Sequence, residues 1–123
     1  MQLVIKGVGV EYYPNIRNWH PEDPKKISTY VMVDIGVKSR KGSDSFIIRL
    51  ATPDGLKEEN AVDGVIANRP LIIMNEYSFD DFWRWLERTV KSCEADTWLE
   101  CIAKLEKYFD WEFDYIEDSD GLK

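Results

Sequence analysis

The sequence predicts an α+β fold: a mainly antiparallel sheet, two helices of the second half packed on one of its faces, and a final strand that closes the sheet. Three observations lead there. Apolar residues alternate with a two-residue period at residues 29–37 and 45–51, on either side of a polar turn. The period then lengthens to that of a helix in two segments, each opening on a capping box, at Ser78 and at Thr97. The two-residue period returns at 110–115, where Trp111, Phe113 and Tyr115 alternate with Asp110, Glu112 and Asp114.

In chain order, residues 2–8 are the first expected strand. Pro14, Pro21 and Pro24 rule out a regular helix across 11–26, and Tyr12, Tyr13 and Trp19 point to a loop folded onto the body. In 29–37, Val31, Val33, Ile35 and Val37 face one way, while Tyr30, Met32, Asp34 and Gly36 face the other. Segment 38–44 turns the chain and carries Lys38, Arg40 and Lys41 as a solvated basic tip. In 45–51, Phe46, Ile48 and Leu50 oppose Ser45, Ile47 and Arg49, which completes an antiparallel hairpin.

Thr52-Pro53 reads as a helix cap followed by proline at the first helical position, and Gly55 keeps that helix short. The apolar run 71–74 reads as a buried strand. Ser78 and Asp81 form the next capping box, with Tyr77 and Phe82 as its hydrophobic staple. Phe79, Phe82, Trp83, Leu86 and Val90 then share one helical face. Thr97 and Glu100 cap the following helix, whose inner face carries Trp98, Cys101, Ile102, Leu105 and Phe109.

A chain of 123 residues fits one domain, residues 1–123. With 44% hydrophobic residues it can build a real core. The net charge of −7 is unevenly placed. Residues 1–60 carry 9 basic and 8 acidic side chains, net +1; residues 61–123 carry 7 and 15, net −8. Such a surface repels nucleic acid and anionic membrane and attracts basic proteins. Cys93 and Cys101 have no metal or redox spacing and suit a reducing compartment. The first residues lack the pattern of a signal peptide, and no apolar stretch approaches the ~20 residues of a membrane span. The expectation is a cytoplasmic protein without cofactor.

Catalytic motifs are scarce. His20 stands alone in the proline-rich loop, most simply as a loop polar residue. The two cysteines lie at or near apolar helical faces and read as core thiols. No glycine-rich phosphate loop and no metal-ligand motif is present. Glu112 and Asp114 project from one strand face about 7 Å apart, a spacing open to acid–base work in a small hydrolase. Asp118-Ser119-Asp120-Gly121 echoes part of a calcium loop but lacks its closing acid. Against these stands the density of carboxylates: Asp110, Glu112, Asp114, Glu117, Asp118 and Asp120 repel one another, and a cationic partner relieves that repulsion. Trp85 falls about 120° from the apolar stripe of its helix, either as an interface anchor or packed under the 11–26 loop.

Residues 96–115, DTWLECIAKLEKYFDWEFDY, resemble the immunity protein 8 family, the antidote proteins of bacterial polymorphic-toxin and contact-dependent inhibition systems. The similarity lies in Asp-Thr-Trp, a helix with an Ala-x-Lys-Leu step, and Trp-Glu-Phe followed by an acid and a tyrosine. Weaker echoes are Pro21-Glu22-Asp23-Pro24, Ser43-x-Ser45-Phe46, Thr52-Pro53 and Ser92-Cys93-Glu94, in family order over most of the chain. Gly55 departs from the pattern where a bulky residue is expected, and Ala95 where a glycine is. The resemblance implies a non-enzymatic protein that binds and blocks a cognate toxin domain, often a nuclease with a basic active site. The expected partner contacts are Glu112, Asp114, Glu117 and Asp118, with Trp85 as a further anchor.

Overall fold

The computed structural model describes residues 1–58, 65–66 and 70–113. Strands β1 (Leu3–Val10), β2 (Ser28–Val37) and β3 (Asp44–Ala51) run antiparallel in that order. β2 takes one edge of β3, and two short strands share the other. β4 (Leu71–Ile73) lies parallel to Arg49–Ala51, and β5 (Asp110–Trp111) lies antiparallel to Phe46 and Ile47. Helix α1 (Pro53–Lys57) leaves β3 directly; α2 (Phe79–Ser92) and α3 (Trp98–Leu105) follow β4. The α+β class, the hairpin and the capped helices thus stand as the sequence predicts.

The alternation in β2 and β3 sorts their side chains. Val31, Val33, Ile35, Phe46, Ile48 and Leu50 are fully buried, and Phe82, Leu86, Val90, Ile102 and Leu105 close the core from the helical side. Burying each such side chain contributes roughly 1.5–3 kcal/mol. In β1 the alternation slips by one residue. The register shifts between Ile5 and Gly7, so Lys6 is an extra residue in the ladder. Leu3 and Ile5 pack on the core before the bulge, and Val8 and Val10 after it.

The caps are as expected. Ser78 accepts the Asp81 N–H at 3.4 Å and Thr97 accepts that of Glu100 at 3.2 Å. The Tyr77 and Phe82 rings sit 6.4 Å apart across the first of these turns. Thr52 does more than cap α1. Its hydroxyl oxygen accepts the N–H groups of Gly55 and Ile27, and it donates to the Lys25 carbonyl. That network presses Ile27 onto α1 so closely that a Cβ on Gly55 would lie 1.9 Å from the Ile27 carbonyl oxygen. The glycine is required by contact. Ala95 sits where the resemblance expects glycine, and it needs no left-handed backbone; among the described residues Tyr12 is the one non-glycine with positive φ.

The 11–26 segment folds onto the body. Ile16, in a short 3-10 turn (Ile16–Asn18), is buried, and Trp19 meets Tyr77 with ring centroids 4.6 Å apart. The Arg17 guanidinium lies over the Phe79 and Trp83 rings at 4.7 and 5.2 Å.

Two expectations need correction. Residues 71–74 are not a buried strand: β4 is an edge strand whose Ile72 reaches the core while Ile73 is 57% exposed. Three paired residues at a sheet margin leave alternate side chains outside. The final strand is shorter than its alternation suggests. Among the described residues of this segment Asp110 and Trp111 pair with β3, and the backbone is helical at Glu112 and Phe113. Phe113 is 39% exposed rather than inward, with its ring 5.3 Å edge-on to Trp111. The cause is local competition. The Glu112 side chain accepts the Ser45 N–H at 2.8 Å, taking the donor next along β3. Trp111 Nε1 donates to Asp44 at 3.0 Å beside it.

Candidate partner-binding surface

Both helices lie on one side of the sheet. The other side presents the outward residues of the ladder in rows, because directly paired residues share a face. One row runs Gly9, Met32, Ile47, Asp110 across β1, β2, β3 and β5. The next runs Gly7, Asp34, Ser45, and there the Ser45 hydroxyl donates to Asp34 at 2.8 Å. Glu112 binds the backbone of that same Ser45. Asp34, Asp110 and Glu112 thus gather at one end of the open face, whereas Asp44, paired with the buried Ile35, lies on the opposite side and accepts from Trp111.

At the other end of β1 the chain reverses sharply. Val10 and Tyr13 exchange N–H···O bonds at 2.9 Å each, closing a turn over Glu11 and Tyr12. Pro14 then lies across Gly9, whose missing Cβ would sit 2.8 Å from the Pro14 carbonyl oxygen. Gly9, Pro14, Tyr30, Met32, Asp34 and Ile47 line a depression of about 740 Å³.

The family model of immunity protein 8 matches residues 3–115, nearly the whole chain. The chain belongs to the immunity protein 8 family. No curated protein and no solved structure matches it. Membership in an immunity protein family brings a toxin-neutralising role and a toxin partner with it.

Of the expected contacts in this immunity protein, Glu112 is exposed and fixed to Ser45. Asp114, Glu117 and Asp118 lie outside the described residues, as does the partial calcium-loop echo. Trp85 is partly buried: it stacks on Phe82 at 6.2 Å and meets Phe109 at 6.0 Å. Its ring partners come from its own helix and from the turn between α3 and β5. Cys93 and Cys101 are buried free thiols, and burial pushes the Cys93 thiol pKa up. His20 is exposed in its loop. Among the described residues no three His, Cys, Asp or Glu side chains converge as a metal site.

Sequence reasoning did not single out the open sheet face. The signal was present in the outward positions of β2, where Tyr30 and Met32 stand in place of polar residues.

Proposed function

We propose that this immunity protein neutralises a basic toxin domain, such as a nuclease, by covering its active or substrate-binding face with an acidic surface. The observation that carries this reading is the charge distribution: net −8 in residues 61–123, with Glu112 linked through Ser45 to Asp34 and Asp110 in the adjoining row. Carboxylates replace substrate phosphates against Lys and Arg, which steers encounter and gives charge-assisted hydrogen bonds. The protein acts as one domain, in the cytoplasm, by binding and without catalysis. No helix among the described residues is long and apolar enough to cross a membrane. The hydrolase reading of Glu112 and Asp114 gains no support, because the Glu112 carboxylate is engaged by a backbone donor.

The test is calorimetric titration, with stopped-flow association kinetics, against the cognate toxin domain that family membership implies. Binding should weaken and association should slow as salt rises, since exposed charges are screened beyond about 8 Å at physiological ionic strength. Salt-independent binding would remove the electrostatic basis of the proposal.

A further inference from the structure

We infer that the open sheet face, from the Tyr12 turn across Tyr30 and Met32 to Ile47, is the apolar centre of the toxin interface. The inference rests on the toxin-binding reading and assigns it a place. Its occupant is the toxin domain, presenting an apolar projection framed by basic side chains.

Three observations meet here. The first is exposure: Tyr30 is 61% and Met32 48% exposed on a face that the helices leave uncovered, beside the depression bounded by Gly9 and Pro14. Tyrosine and methionine are enriched at the centres of protein interfaces. The second is strain. Tyr12 holds φ +66°, a region that disfavours bulky side chains, yet it is 89% exposed and gains no packing in return. A glycine or asparagine would make the same turn without that cost. A strained, solvent-facing tyrosine at the lip of a depression is placed for an external contact.

The third is charge. Asp110 stands opposite Ile47 in the same row as Met32, and Asp34 lies in the next row. Glu11 flanks Tyr12 in the turn. One side of the apolar centre is therefore edged by carboxylates that run on through Ser45 to Glu112, while Arg49, the cation paired with Tyr30, is buried and donates to Ser28. A second copy of this chain would bring the same carboxylates against them, a repulsive arrangement. A basic partner meets both the apolar centre and its border, with the rim shielding the centre from water.

The experiment compares Tyr12→Asn and Tyr30→Ser/Met32→Ser with an acidic-tail variant, Glu112→Gln with Asp114, Glu117 and Asp118 changed to Lys, each titrated against the cognate toxin domain. Tyr12→Asn should melt at or above the wild-type temperature and still bind at least about tenfold more weakly, a separation that a structural role does not produce. The double variant should lose about thirtyfold or more. If both bind like wild type while the acidic-tail variant fails, the inference is overturned and the acidic reading survives. If wild type itself does not bind, both fall. If sedimentation shows a dimer that the double variant dissociates without changing toxin affinity, the face is a self-association surface and the inference is wrong.

Discussion

The Glu112 carboxylate accepts the backbone N–H of Ser45 at 2.8 Å, across 67 residues of sequence. This one bond ends β5 after two residues and fixes a carboxylate at the margin of the sheet. It also ties the acidic end of the described chain to the open face, because the Ser45 hydroxyl binds Asp34 in turn. Glu112 is thereby both a structural acceptor and a surface charge, and the two roles separate by substitution. Glutamine keeps the acceptor and removes the charge.

The Gly55 contact gives a stability prediction. Gly55→Ala should destabilise the protein by about 1–3 kcal/mol or more, because the new methyl group meets the backbone of Ile27 and cannot be relieved by a side-chain rotation. Denaturant unfolding measures it. A variant as stable as wild type would show that the junction of Ile27 and α1 is looser than its hydrogen bonds imply.

Tyr77 gives a pH prediction. Its hydroxyl is buried without a hydrogen-bond partner among the described residues, and burial raises the phenol pKa to about 12 from 10.0. The folded-state pKa lies above the unfolded one, so the stabilisation of the neutral form is fully present below pH 10 and lost as pH rises through about 12. Tyr77→Phe should be at least as stable at neutral pH, by up to about 1 kcal/mol, because it removes an unsatisfied polar group. Melting temperatures of the two proteins between pH 9 and about 12 provide the check: wild type should lose more. Parallel curves would mean that the hydroxyl reaches water.

The two phenylalanines around β5 should differ sharply. Phe109 is buried against Phe46 and Trp85, and Phe109→Ala should cost about 3–5 kcal/mol. Phe113 is part-exposed, and Phe113→Ala should cost about 1 kcal/mol or less. Comparable losses in chemical denaturation would restore an inward Phe113 and a longer final strand.

Legibility in the sequence tracked the range of the interactions involved. The hairpin was readable because Val31–Ile35 and Phe46–Leu50 carry their burial in local alternation. The helix starts were readable because Ser78 and Thr97 bond only three residues ahead. The end of β5 was not, since it depends on Ser45, far away in sequence. Nor was the parallel pairing of β4, a register of three residues set by tertiary contact. The open face was half readable. Tyr30 and Met32 alternate outward as expected, but only the placement of both helices on one side leaves them uncovered. The site residues Asp114, Glu117 and Asp118 rest on sequence alone.

The most direct test of the acidic-surface account is the affinity of a charge variant for the cognate toxin domain. Glu112→Gln is combined with Lys at Asp114, Glu117 and Asp118, which leaves the Ser45 bond an acceptor while reversing the tail. Folding is confirmed first by its melting transition. Removing a single close charge pair at a strongly charged interface costs on the order of 1.5–7 kcal/mol, so the account predicts binding weaker by at least about a hundredfold and loss of protection in toxin-expressing cells. A folded variant that binds and protects as well as wild type would contradict it.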